Sequence, residues 1–585
     1  MRKFHVPLML IFLFPTFLKS QSYTPKKTNW QQAGYLGIKP IFTNTVNVLN
    51  FGADNSGNSS NNTALTNAIA SLSGQPGVIY FPPGNYLFSS NININRDSLI
   101  IQGAGSTQTQ FMFNLNGSAG NCININGSQN NSDTSSITLS AARDSVWTTV
   151  VNSSSFNTGD WVYLTMNDSN LLFSSWAYGS VGQVMKIYSI SSNKIYFKSP
   201  FRYNYSLNRK PKIKKIIPKN NIGIECLKII RMDASVSQTS IIAFDRAANC
   251  WINGIESDST NFSHIELNRS TNIEITNSYF HHAHGYGGGG KAYGVTFQFS
   301  SGECKAEGNI FEYLRHGVLM QAGANGNVCA YNYFNDPFWV EGFFPSNAAG
   351  ELVLHGNFVF SNLFEGNICG NIVIDNSHAK NGPYNTFYRN RASLFGIFMN
   401  SNPATDTVQF IGNEIPGSFN TLAGNGHFQY ANQFQGNLVP SGTGNLSDTS
   451  FYLGSGDFPI CMNALYPTPS IGIPTNYLSG TNEAFERFKQ GVRAQCSCSS
   501  ISLSKNIEEI DKFIVYPNPT NGIFRICNLN EEKEIQIIDY CGRVFNTLRI
   551  NKNSIIDINN LNDGVYFIKI EGEIAPVIKI IKTSN

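Results

Sequence analysis

An asparagine returns through the middle of the chain at Asn253, Asn277, Asn309, Asn332, Asn367, Asn390, Asn413 and Asn437, at steps of 24, 32, 23, 35, 23, 23 and 24 residues. A constant short step with two longer ones marks a solenoid with insertions, because each repeat is too small to bury its own apolar face and must stack on its neighbours. Apolar and polar side chains alternate in short runs within each unit, as in residues 272–280 and 328–334, which reads as strand. Three short strands and three turns per unit make one coil of a right-handed parallel β-helix. The asparagines are expected to stack on one another at a turn that tolerates left-handed backbone.

Composition agrees with an all-β chain. Charged residues are only 14% of the 585, against roughly 25% in an average globular protein, and Asn, Ser, Thr and Gly supply the polarity instead. The 42 Phe and 25 Tyr exclude a disordered chain, and a net charge of +3 gives no case for nucleic acid. Residues 6–18 form an apolar run behind Arg2 and Lys3, which reads as a secretory signal peptide over residues 1–20 and is too short for a membrane span. The 11 cysteines are scattered; Cys226 with Cys250 and Cys496 with Cys498 are the only notable spacings, and neither is a zinc pattern.

The N-terminal end of the repeat contains Val46-Asn-Val-Leu-Asn-Phe-Gly-Ala53, then 63–69, 77–86 with a Pro-Pro-Gly turn, and Leu99-Ile-Ile-Gln-Gly-Ala-Gly105. Strand, amphipathic helix, strand and strand would cap the open end of a solenoid. These motifs resemble the N-terminal β-helix module of the pectate-lyase superfamily, which includes rhamnogalacturonases and epimerase-like proteins. Where that family has Asp-Asp-Thr, this chain has Asn61-Asn62-Thr63. The resemblance implies a β-helix over residues 44–440 and a carbohydrate-directed activity, without fixing the reaction.

Residues 134–205 break the period with alternating strands and Gly-Asp and Ser-Asn turns, which predicts a small inserted β subdomain that either only packs or walls a groove. Residues 441–511 read as a C-terminal cover and linker. From residue 512 the chain changes character: Val515-Tyr-Pro-Asn-Pro-Thr-Asn-Gly522, Ile537-Ile-Asp-Tyr-Cys-Gly-Arg-Val544 and Leu561-Asn-Asp-Gly-Val-Tyr-Phe567 follow in order, with strands expected at 523–527, 535–539 and 565–570. This stretch, 512–585, resembles the β-sandwich sorting domain of the type IX secretion system. The resemblance implies a Bacteroidetes-type Gram-negative source, a partnership with that machinery, and delivery to the medium or the outer surface.

Loops extruded from a solenoid carry chemistry more often than its coils do. The two long steps hold His281, His282, His284, Lys291 and Tyr293 in the first, and Asp336, Trp339 and Glu341 in the second; Tyr313, Arg315 and His316 lie between, and Asp375 and His378 follow. Counted from the asparagines, His281, Tyr313 and Asp336 share one phase and are expected side by side on consecutive coils. The expected catalytic set is His281, His282, Lys291, Tyr293, Arg315, His316 and Asp336; the expected substrate contacts are His284, Tyr313, Trp339, Glu341, Asp375 and His378. No cofactor is fixed; a calcium ion, usual in part of the superfamily, would need carboxylates such as Asp336 or Glu341. β-Elimination on an acidic polysaccharide needs a base, a cation for the uronate carboxylate and an acid, which these residues can supply. No adjacent Asp-Asp pair of the kind found in polygalacturonase-like hydrolases is present. The expected protein is therefore a secreted, monomeric polysaccharide lyase, with a glycoside hydrolase or a non-catalytic glycan-binding or adhesin solenoid as alternatives.

Overall fold

The structure, a computed structural model, describes residues 22–340, 350–375, 377–399, 407–417, 421–422, 426–444, 446–453, 470–496, 514–516, 520–527, 532–539, 543–551, 554–570 and 577–583. The expected signal peptide, Glu341 and residues 497–513 lie outside them. The chain divides into two units, 1–500 and 501–585.

The first unit is a parallel β-helix of three sheets. One full coil runs from Lys305–Glu307 in the first sheet to Ile310–Glu312 in the second and His316–Met320 in the third, and the next begins at Val328–Ala330, in register with Lys305–Glu307. Alternate side chains point inward and stack by type. Phe280, Phe311 and Phe334 stack with centroids 5.3 and 4.7 Å apart, and Phe364, Phe387 and Phe410 do so at 4.6 and 5.4 Å. Helix Asn62–Ser71 closes the N-terminal end by laying Ala64, Leu65 and Ala68 on the core.

Two amide ladders run along the coils. In the first, Asn309, Asn332, Asn367, Asn390, Asn413 and Asn432 are joined Nδ2 to Oδ1 at 3.1, 3.0, 2.8, 3.0 and 3.0 Å. In the second, which periodicity alone did not reveal, Asn327, Asn362 and Asn385 are joined at 2.9 and 3.0 Å. Three of the asparagines expected in the stack are not in it. Asn277 lies one residue too early, and Ser278 takes the ladder position. Asn253 instead donates to the Cys496 carbonyl, and Asn437 sits exposed in an antiparallel strand that folds back on Asn432–Phe434. The left-handed residue of each turn is the one before the ladder asparagine, as at Gly308, Tyr331, Gly366, Arg389 and Gly412.

An antiparallel six-stranded sheet, Ser128–Ser136 through Lys212–Ile217, interrupts the coils and has its own core of Val162, Leu164, Ile187, Ile195 and Ile213. It is fastened to the helix by Arg202, which is 2% exposed and reaches Glu303 at 2.8 Å and Asn325 at 2.6 Å. Residues 22–43, given no role by periodicity, lie over the first sheet, where Trp30 is buried and donates to the Ser361 carbonyl at 2.7 Å. Helix Glu483–Lys489 covers part of the second sheet, packing Ala484 against Tyr279 and Ile310.

In the second unit, Ile514–Tyr516, Ile523–Cys527 and Ile556–Asp557 form one antiparallel sheet, and Val544–Ile550, Lys533–Asp539, Gly564–Ile570 and Val577–Lys582 the other. Ile526, Ile535, Ile537, Ile568 and Ile570 are buried between them.

Because Asn367 is fully buried and bonds on both sides of its coil, Asn367→Ala leaves donors and acceptors unpaired. It is expected to destabilise the first unit by about 2–4 kcal/mol, read as a lowered thermal midpoint, whereas Asn437→Ala should change it by no more than about 0.5 kcal/mol.

Candidate functional site

The third sheet presents its outward residues in two columns. Strands Ser263–Asn268, Tyr293–Gln298, His316–Met320, Gly350–His355 and Ile368–Asp375 run in register, so Glu266, Thr296, Leu319, Val353 and Val373 align, and Asn268 faces Gln298 while His355 faces Asp375. Alternation along each strand dictates this: Ile265, Val295, Val318, Leu352 and Ile372 turn inward and their neighbours outward. Leu319, Val353 and Val373 form an apolar stripe with Phe262, Tyr293 and Phe398. Beside it runs a polar line: Glu266 accepts from Gln298 at 2.9 Å, Gln298 accepts from Gln321 at 2.5 Å, and His355 follows.

A groove of about 740 Å³ lies over these columns. Its lining includes Gly288 to Gly290 of the first long loop and Trp176 of the inserted region. Trp176 is 48% exposed and meets His378 and Phe299 edge-on at 5.8 and 5.9 Å.

Of the residues expected from sequence, Tyr293, Arg315, His316, Asp375 and His378 come together here. His355 Nδ1 lies 2.7 Å from Asp375 Oδ2, a contact that becomes an ion pair only when the imidazole is protonated. Asp375 also accepts from the Ser377 amide at 2.7 Å and hydroxyl at 2.8 Å. Burial raises the Asp375 carboxyl, but the contacts with His355 and Ser377 outweigh it and hold the group below its ordinary 3.8. Burial, reinforced by Arg315 and His355, pushes His316 well down, so its imidazole is neutral; its Nδ1 lies 3.1 Å from the Gly350 carbonyl and its ring 4.9 Å from Tyr293. His378 is lowered by burial and by His355, and shares a 3.0 Å hydrogen bond with Ser174.

The other expected residues fall elsewhere. His284 and Lys291 line a neighbouring depression of about 90 Å³, with His284 Nε2 3.0 Å from the Arg231 carbonyl. His281 belongs to the second sheet, where it pairs with Glu312 and, one coil on, Asn335. The row expected to join His281, Tyr313 and Asp336 is therefore wrong by one residue. His282, Tyr313 and Asp336 share that row, all left-handed at φ 59, 54 and 49°. Tyr313 lies between the His282 ring at 5.0 Å and Phe338 at 4.4 Å. Asp336 is exposed and Trp339 half-buried outside the groove lining.

Sequence reasoning missed His355, Glu266, Gln298, Gln321 and Trp176. The signal for His355 was present: it ends a strand as Asp375 ends the next, 20 residues later. That step is shorter than the basal period because Ile368–Asp375 runs from the second sheet into the third without a turn.

Residues 45–178 match the family described as rhamnogalacturonase A/epimerase, pectate lyase-like, and residues 514–583 match the secretion system C-terminal sorting domain. The chain thus carries a pectate-lyase-like β-helix and a sorting domain that directs it to secretion or the outer surface. No helix among the described residues is long and apolar enough to cross a membrane. No curated protein matches. Among solved structures, the tailspike of Pseudomonas phage LKA1 is similar at 16% identity and a TM-score of 0.46, covering 63% of this chain and 64% of that one. The tailspike of Acinetobacter baumannii bacteriophage AP22, solved with a capsular saccharide, is similar at 15% and 0.46, covering 67% and 66%. An Azotobacter vinelandii mannuronan C-5 epimerase A-module is similar at 15% and 0.36, covering 66% and 91%. The chain spans about two thirds of either tailspike's length.

A carboxyl held below its unfolded value contributes stability that is complete above that value and is lost as pH falls through the folded one. For Asp375 the loss begins below its ordinary 3.8. Wild type is accordingly expected to lose more thermal stability on acidification below pH 3.8 than Asp375→Asn, measured as midpoint against pH.

Proposed function

We propose that this chain, with a pectate-lyase-like β-helix and a secretion sorting domain, is a secreted enzyme that cleaves an acidic, uronate-containing polysaccharide by β-elimination. The observation that carries the reading is the contact between His355 and Asp375 at 2.7 Å in the groove, with Arg315, Tyr293 and His378 lining the same space. Asp375 steadies the His355 ring through Nδ1 and leaves Nε2 to accept a proton. Arg315 supplies the cation that a uronate carboxylate needs as negative charge builds on the adjacent carbon. When Nε2 takes the C5 proton, the C4–C5 double bond forms and the C4–O bond breaks, and the departing oxygen takes a proton from Tyr293. Trp176 and Phe262 give sugar rings apolar faces to pack on.

Asp375 is poorly suited to be the general acid of a hydrolase, since its contacts hold it ionised. Glu266 lies along the same groove and accepts from Ser240, Asn268 and Gln298. That second carboxylate favours hydrolysis as the alternative reading.

Incubation of the protein with pectic, alginate and other uronate polysaccharides should raise the ultraviolet absorbance of an unsaturated uronate together with reducing ends. His355→Ala should lower that rate by about 10²–10⁴-fold with an unchanged circular dichroism spectrum. Reducing ends without absorbance would turn the assignment to hydrolysis, and binding without either signal would make the chain a glycan-binding solenoid.

A further inference from the structure

On the second sheet, away from the groove lining, three ligand-type atoms converge. Asp258 and His281 face each other on adjacent coils, and His282 follows His281 round the corner. Their nitrogen and carboxylate atoms all lie within 4.8 Å of one another: His281 Nδ1 is 2.8 Å from His282 Nδ1 and 3.7 Å from Asp258 Oδ1.

His281 Nε2 lies 3.2 Å from Glu256 Oε1, and an ionised carboxylate only accepts, so Nε2 carries the hydrogen. On its other side, His281 Nδ1 faces a second imidazole nitrogen and a carboxylate oxygen. Lys228 sits 2.6 Å from Glu256 and 3.3 Å from Asp258 Oδ2, on the far oxygen, and Ser259 donates to Oδ1 at 2.8 Å, leaving that oxygen one lone pair. A carboxylate on the far nitrogen of a histidine is the arrangement that fixes the tautomer of metal-ligating imidazoles. Tetrahedral coordination at about 2.0–2.1 Å requires ligand atoms about 3.3 Å apart, between the two separations seen here. His282 is exposed and can open the shorter one.

We propose that Asp258, His281 and His282 bind a divalent transition-metal ion of the zinc type, with Glu256 as the positioning residue behind His281. Two imidazoles and one carboxylate suit zinc, cobalt, nickel or copper better than calcium. The site has three protein ligands and so keeps a position for water or a sugar oxygen.

The test uses the full-length, untagged protein, stripped with chelator and titrated with Co(II) and Zn(II). The expected result is one equivalent bound, with a visible Co(II) spectrum of a four-coordinate nitrogen and oxygen site. His282→Ala, at an exposed position, should abolish it, Asp258→Asn should weaken it at least about 10-fold, and Glu256→Gln about 10–100-fold. His284→Ala should leave it intact. Absence of stoichiometric binding in the wild type, or its persistence in both His282→Ala and Asp258→Asn, would overturn the assignment.

A different observation carries a second inference. Cys122, Cys250, Cys304, Cys329 and Cys369 are buried, but Cys226 and Cys496 are half-exposed, and their thiols face each other in hydrogen-bond contact. Glu225 pairs with Asn253 on the adjacent coil, which places Gly254 beside Cys226. The Cys496 thiol reaches the Gly254 carbonyl at 3.9 Å, and any side chain at Gly254 would collide with the Cys496 backbone. We infer a Cys226–Cys496 disulfide that fastens the end of the first unit to its coils. Both thiols lose hydrogen and a small or protein disulfide is reduced to two thiols, as export favours. Alkylation of the secreted full chain without reduction, followed by peptide mass spectrometry, should find the two peptides linked. Reductant should lower the thermal midpoint of wild type and leave that of Cys226→Ser unchanged. Recovery of both cysteines alkylated would overturn the pairing.

Discussion

In mid-column, a ladder asparagine spends its whole hydrogen-bonding capacity on its neighbours in the stack. Asn367 donates to Asn390 and to the Cys329 carbonyl, and its Oδ1 accepts from the side chain and the backbone amide of Asn332. Two donors and two acceptor sites are thus satisfied in a buried column. Aspartate lacks the donors and glutamine overreaches, so only asparagine repeats. A buried unmet amide costs enough that the coils must keep one register, and everything on their outer faces inherits it.

The ladders also decide where variation is allowed. The first holds the corner between the first and second sheets, since Asn309 sits between Lys305–Glu307 and Ile310–Glu312. The second holds the corner between the third and first, since Asn327 precedes Val328–Ala330. The remaining corner has no ladder among the described residues, and both long steps emerge there, after Tyr279–Ala283 and after Tyr333–Asn335. Functional candidates gather beside that corner, which no ladder holds in register, whereas the inserted sheet leaves the third-to-first corner before the second ladder begins.

This explains what was legible in the sequence. Period and insertions could be read because asparagine spacing is a covalent property of the chain. Phase could not, because asparagine suits both the buried ladder and the left-handed residue before it: Asn277 occupies the second role and Ser278 the first. One residue of slip sufficed to exchange His281 for His282 beside Tyr313. Trp30 and Trp176 were hidden for another reason, since each acts from outside the repeat and touches residues more than 100 positions away.

Trp176 makes the last link between stability and function. Its wall stands where it does because Arg202 enters the turn before the first sheet and meets Glu303 and Asn325. A buried ion pair gives little net stability, but losing one partner strands a charge in low dielectric. The insert therefore has one docking geometry with its charges compensated, and a slide of the small sheet along the coils would break it. Nearer the groove, the Phe173 and Ser174 amides donate to Asn357 and Ser174 bonds His378, so directional bonds add to the apolar contact of the insert with Ala322 and Phe360. A polar anchor behind an aromatic wall thus sets where Trp176 stands, edge-on to His378 at 5.8 Å.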